Sequence, residues 1–258
     1  MSSMRFGVIA PHQRAEAALA AGADYIEPHV VDNLVVEEDG QWVANPEFTE
    51  SGPAPSFAVL FPPSFRLADP DANFQWFRSY LEVALSTMST VAEPGAKVVL
   101  GSGSARHIPE HLDRRKAVRQ LADVVRLAHE VASGHGLELA VEPLCSGETN
   151  VFNSLGEAVA FLEEHQLFHV RVVTDLYHIM NQGEPLEAVT RYAHWIAHAH
   201  IADTGRRAPG LGDWPLEAFL TALKQSGYRG DVSIEGNWSD EFEADLPDAL
   251  RHLRSLVA

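Results

Sequence analysis

Short apolar runs alternate along the chain with longer segments whose apolar residues recur at helical spacing. The runs fall near residues 5–10 (RFGVIA), 24–27 (DYIE), 56–60 (SFAVL), 96–100 (AKVVL), 137–142 (LELAVE), 169–175 (HVRVVTD), 196–201 (IAHAHI) and 231–235 (DVSIE). Most are too apolar for a sheet with one wet face, so they read as parallel strands covered on both sides. Helices are expected between them, the longest from Asp71 to Ala92 and from Pro109 to Ala132. Asn153 or Ser154 can cap a helix carrying Ala158, Phe161 and Leu162. Pro185 and Pro215 suit the first turns of the next two helices, and Asp245 to Val257 forms the last. Residues 40–70 hold six prolines and are expected to be mainly loop.

Eight strand–helix units in 258 residues match the typical ~250-residue (β/α)8 barrel. The expected fold is therefore a single TIM-barrel domain spanning residues 1–258. A doubly wound open sheet is the competing architecture. It fits less well, because no Gly-x-Gly-x-x-Gly follows an early strand and the polar strand ends are spread over consecutive late strands.

With 46% hydrophobic residues, the chain can fill a sizeable core. No run of about 18 apolar residues suggests a membrane span, and MSSMRFGVIAPHQ lacks the apolar core and cleavage site of a signal peptide. The only cysteine, Cys145, has no internal disulfide partner, so a reducing cytoplasm is the expected location. A formal net charge of −17 argues against binding nucleic acid or anionic membranes.

Four of the apolar runs end in, or one residue past, a residue of metal-ligating type: Glu142, Asp175, His200 and Glu235. They lie about one strand-plus-helix unit apart. In a barrel, the carboxyl ends of successive strands share one mouth, so the four can converge. A carboxylate ending a strand is more often a cap or an ion-pair partner. Four in register on apolar strands need a common neutralising partner, which one divalent cation supplies. Three carboxylates and one imidazole favour Mn²⁺ or Mg²⁺ over Zn²⁺, and Co²⁺ is also compatible.

Further polar residues follow these strand ends: Glu148 in PLCSGETN, His178 in TDLYH, and Arg206 in HAHIADTGRRAPGLGDW. Loops after barrel strands carry substrate contacts, although Arg206 and Arg207 read equally well as surface charge. His198 shares a strand face with His200 and reads as a packed residue beneath it. Phe61, His107, Trp214 and Trp238 follow strands and could stack on a sugar face. Arg106 with GSGS could receive a phosphate, so the substrate could be free or phosphorylated.

The motifs VEPLCSGET, TDLYH, HAHIADTGRRAPGLGDW and the strand-end IE resemble the xylose-isomerase-like barrel superfamily. Within it they are most similar to ketose 3-epimerases (D-tagatose and D-psicose 3-epimerases) and hydroxypyruvate isomerase-like proteins. The resemblance covers roughly Leu137 to Gly236, and AGADYIEP resembles the family's second strand. It departs where Glu-Gly-Asn-Trp stands in place of the epimerases' usual Glu-Pro-Phe. The resemblance implies that Glu142, Asp175, His200 and Glu235 hold one divalent metal, with Mn²⁺ foremost. It also implies that Glu148, His178 and Arg206 contact substrate and, since many barrels of this family associate, that the chain could form a homo-oligomer.

The chemistry these residues could perform is proton transfer next to a carbonyl through an enediolate. Glu142 and Glu235 would be the acid and base on opposite faces of a small carbohydrate. The outcome would be epimerisation or aldose–ketose isomerisation. Elimination, as in an inosose-dehydratase-like lyase, uses the same intermediate. Two further alternatives are a non-catalytic sugar-binding protein and an endonuclease IV-like enzyme. The latter would need additional histidines after strands three and four, where this chain reads VLFPPS and VLGSGS.

Overall fold

The computed structural model describes residues 4–48, 52–238 and 241–258. Its centre is a ring of eight parallel strands. These are β1 (Phe6–Ile9), β2 (Ile26–Glu27), β3 (Ala54–Phe57), β4 (Ala92–Leu100), β5 (Glu138–Val141), β6 (Arg171–Asp175), β7 (Ile196–Ile201) and β8 (Val232–Ile234). Their order in the sheet is β2-β1-β8-β7-β6-β5-β4-β3. The ring is completed between β2 and β3, where the Ala58 amide donates to Pro28 at 3.0 Å and the Val30 amide donates to Ala58 at 2.9 Å.

Helices pack around the ring and bury their apolar stripes against it. Phe74–Val91 starts at Asn73, whose side chain accepts from the amides of Gln75 and Trp76. Arg114–Gly134 starts at Asp113, which accepts from Lys116. Leu155–Glu164 is capped by Ser154, not Asn153. Asn153 instead donates its amide to the carbonyls of Leu144 and Thr149 at 2.7 and 3.0 Å, pinning the loop after β5. Pro185 and Pro215 lie just before Glu187–Arg191 and Leu216–Gln225, not within their first turns. Their carbonyls accept from Ala188 and Phe219.

The expectation of a proline-rich loop over 40–70 needs correction. Val35–Glu38 and Gln41–Ala44 pair as an antiparallel hairpin, and β3 lies within the same stretch. Asp39 and Gly40 turn the hairpin with φ of 48° and 75°, the left-handed pair that an Asp-Gly turn adopts. Trp42 of the hairpin packs on Phe65, Trp76 and Tyr80, covering a part of the wall where a helix was not recognisable. Thr49, Glu50 and Ser51 of that stretch lie outside the described residues.

The barrel interior has two unlike walls. Val99, Ala140 and Val173 form a small apolar cluster separate from the main core. Each stands two residues before a mouth residue on its strand, so it faces inward. The opposite wall is polar and buried, built by Tyr25, Glu27, His198, His200 and Ser233. Gly7 on β1 makes this wall possible. A Cβ there would lie 2.3 Å from the Tyr25 ring, so only glycine lets that side chain cross β1.

Candidate metal centre

Glu142, Asp175, His200 and Glu235 converge at the carboxyl end of the barrel. One ligand atom from each lies within 4.8 Å of the others. Glu142 and Glu235 directly follow β5 and β8, Asp175 ends β6, and His200 is the penultimate residue of β7. His200 Nδ1 lies 2.8 Å from Glu142 Oε1 and 3.3 Å from Glu235 Oε2. Asp175 Oδ1 accepts from the Tyr177 amide at 2.8 Å, which turns its other oxygen toward the group. Asp175 Oδ2 is buried without a hydrogen-bond partner among the described residues, and Glu235 Oε2 has only His200 Nδ1 near it, at 3.3 Å. Buried carboxylate oxygens of this kind are costly unless a cation or donor satisfies them. The donor set therefore fits a hard divalent cation.

The electrostatics reflect three carboxylates in one small space. Burial, then repulsion from Glu235 and Glu142, pushes the Asp175 carboxyl well above its ordinary range. Burial opposes charge on His200, but Glu27 and Glu142 outweigh it and hold the imidazole well above its usual pKa. Burial also opposes ionisation of Glu235, yet its hydrogen bond to His200 and the nearby Arg206 bring it down to about 2.

The three residues expected to contact substrate also reach this site. Arg206 Nη2 donates to Glu235 Oε1 at 3.1 Å, and Nη1 donates to Glu148 Oε1 at 3.4 Å. The guanidinium lies 4.3 Å from the centre of the Tyr177 ring. Arg206 adopts a left-handed φ of 61°. Its loop is tied down by Asp203, which accepts from the amides of Thr204, Gly210 and Trp214. His178 Nδ1 accepts from the Cys145 amide at 3.0 Å, and its Nε2 lies 3.5 Å from Asp175 Oδ2. Burial lowers the His178 pKa to about 4, so the ring is neutral; because Nδ1 accepts from Cys145, the proton is on Nε2, 3.3 Å from Arg206 Nη2. Glu148, partly exposed, is pushed upward by burial.

Sequence reasoning missed the role of Glu27. In sequence Glu27 only ends an early strand; in the structure it is fully buried directly behind His200. His198 Nε2 lies 2.7 Å from Glu27 Oε2, and His200 Nε2 lies 3.2 Å from Glu27 Oε1. Ser233 also donates to Glu27, and Tyr25 donates to Ser233 at 2.8 Å. Burial alone would keep Glu27 neutral, but the two imidazoles and their hydrogen bonds hold its pKa well below the usual carboxylate range. The available signal was an acid two residues after Tyr25 together with two histidines on one face of β7.

Two cavities meet over the quartet. One, of about 210 Å³, extends over the ends of β3 to β5 and is lined by Phe61, Gly101, Ser102, Leu144 and Glu148. The other, of about 630 Å³, extends toward β1, β2 and β8 and is lined by Arg14, His29, Asn237 and Trp238. Val59, Arg206 and Glu235 border both. Arg106 borders neither. It is fully buried, stacks 4.1 Å over the Phe152 ring and donates to the Leu100 carbonyl. A phosphate site at Arg106 is therefore not formed. His107 is exposed, and Trp214 packs near Tyr177. Among the described residues, no helix is long and apolar enough to cross a membrane.

The chain is 30% identical to a putative hydroxypyruvate isomerase of Streptomyces coelicolor over 200 residues, covering 73% of this chain and 70% of the relative. It is also 30% identical to a 3-dehydro-D-guloside 4-epimerase of Escherichia coli, but the match covers 57% of this chain and only 56% of that relative. Its backbone is similar to a crystal structure of D-psicose 3-epimerase in the presence of D-fructose. The TM-score is 0.81 at 18% identity, covering 98% of this chain and 99% of that one. Residues 15–256 match the family model described as xylose isomerase-like TIM barrel, and the chain belongs to that family.

Proposed function

We propose that the protein is a divalent-metal-dependent epimerase or isomerase acting next to the carbonyl of a small carbohydrate. The observation that carries this reading is the largely buried quartet, with Glu142 and Glu235 both beside His200 Nδ1 and Asp175 Oδ2 left without a donor. The similarity to proteins named as sugar epimerases and a hydroxypyruvate isomerase supports it.

Glu142, Asp175, His200 and Glu235 would hold the cation, with Mn²⁺ foremost and Mg²⁺ or Co²⁺ as alternatives. When bound, it would supply Lewis-acid polarisation of a carbonyl and its neighbouring hydroxyl. The protein's own residues would move the proton. One of Glu142 and Glu235 takes it from the carbon beside the carbonyl, and the other returns it to the opposite face. Return on that face inverts the carbon, while return to the adjacent carbon gives an isomer. Arg206, held by Glu235, Glu148 and the Tyr177 ring, presents positive charge to the developing enediolate. The Nε2 proton of His178 provides a neutral hydrogen-bond donor on the same side.

The test is solvent-deuterium exchange. Mn²⁺-loaded protein is incubated in D₂O with a panel of ketohexoses and 3-keto glycosides, and products are read by NMR. Deuterium uptake at the carbon adjacent to a carbonyl is expected, lost in Glu142→Gln and Glu235→Gln. Loss of a hydroxyl from the product would point instead to a lyase. No exchange with any member of the panel would overturn the reading.

A further inference from the structure

We propose that Glu27 is a positioning residue that fixes the tautomer of His200, so that Nδ1 is the atom offered to the cation. This rests on the quartet being a metal site.

The geometry begins with donors and acceptors. A carboxylate only accepts, so each group within hydrogen-bond distance of Glu27 must bring a proton. Ser233 and His198 Nε2 serve one oxygen, and His200 Nε2 serves the other at 3.2 Å. With one proton of His200 committed to Nε2, the proton a cation would displace is the one on Nδ1, 2.8 Å from Glu142, and the lone pair it leaves is the one offered to the cation. Nδ1 is the nitrogen on the quartet side, beside Glu142 and Glu235. Tyr25 and Ser233 hold Glu27 from beneath, so the carboxylate cannot rotate away.

The arrangement spans the barrel. Glu27 is on β2 and His200 on β7, with β1 and β8 between them in the sheet. The absent side chain at Gly7 lets Tyr25 cross β1 to Ser233, which in turn donates to Glu27. Partners that orient a ligating imidazole typically change metal affinity by about 10- to 100-fold when removed.

Glutamine at position 27 separates orientation from packing. Its amide keeps the shape but has one acceptor oxygen and one donating NH₂ for two imidazoles. The NH₂ repels an Nε2–H and favours the tautomer with the proton on Nδ1, where it blocks the cation. Mn²⁺ affinity is measured by the electron paramagnetic resonance signal of free Mn²⁺. Glu27→Gln is expected to weaken binding about 10- to 100-fold with an unchanged near-ultraviolet circular dichroism spectrum. Glu27→Gln binding Mn²⁺ within about twofold of the wild type would overturn the proposal. Should Glu27→Gln not fold, long-range ¹H–¹⁵N NMR of the Mg²⁺-loaded wild type decides. A proton on His200 Nε2 supports the proposal, and a proton on Nδ1 overturns it. A wild type that takes up neither ion would instead remove the metal reading of the quartet itself, and this proposal with it.

Discussion

The amide of Cys145 donates to Nδ1 of His178 at 3.0 Å. One main-chain bond thereby sets the tautomer of a side chain on the helix after β6 and leaves its Nε2 proton facing Asp175 of the quartet. The same bond couples the loop after β5 to the start of the helix Leu176–Gln182. A backbone donor keeps its direction whatever residue other than proline occupies position 145.

His178→Gln tests that donor. Losing one preorganised donor to a developing oxyanion costs about 10²- to 10³-fold in kcat. A loss of that size is expected, with metal content unchanged because His178 is outside the quartet. Wild-type kcat in a fully loaded His178→Gln protein would remove His178 from the chemistry.

Arg206→Lys keeps the charge but removes the planar fork that reaches Glu148 and Glu235 together, and the stack on Tyr177. The expected result is a rise in KM and a fall in kcat of at least about tenfold. A lysine variant with wild-type steady-state constants would show that charge alone suffices.

Cation binding should strengthen as pH rises. Burial and its acidic neighbours keep a proton on Asp175, and the surrounding acids keep the His200 imidazole protonated despite its burial. A cation must displace those protons, so each one released makes affinity about tenfold tighter per pH unit until its site has titrated. Calorimetry of Mn²⁺ binding in two buffers of different ionisation enthalpy measures the proton release directly. A pH-independent affinity with no proton release would contradict the assignment.

Gly7→Ala should destabilise the fold by about 1–3 kcal/mol through overpacking, because the new methyl meets the Tyr25 ring at 2.3 Å. Thermal unfolding should move down by several degrees. Adding Tyr25→Phe should not restore it, since the clash is with ring carbons and not the hydroxyl. An unchanged melting temperature in Gly7→Ala would show that the polar wall can shift.

Much of the barrel was readable because its strands are buried on both faces and so appear as apolar runs with the right spacing. The quartet was readable for a related reason: a carboxylate ending such a run is conspicuous, and Glu142, Asp175 and Glu235 all do so. Glu27 ends a run as well, but its meaning depends on His198 and His200, far away in sequence and reached across two intervening strands. The hairpin was obscured by prolines further along, although Asp39-Gly40 between Val35-Val36 and Trp42-Val43 carries a recognisable turn signal. Arg106 looked like an anion anchor from its glycine-rich setting. Its orientation against Phe152 follows from tertiary packing, which no local motif encodes.

The closure between β2 and β3 has a dynamic consequence. Among the described residues only a bridge at His29 and Ala58 joins these strands, whereas the other neighbouring pairs share longer ladders or direct strand register. Local opening follows the least-bonded boundary, so the amides of Val30 and Ala58 should exchange with solvent earlier than those of β7. Because β2 also carries Glu27, breathing at this seam would slacken the partner of His200. A cation that locks His200 in place should therefore slow exchange at a seam that none of its own ligands touches.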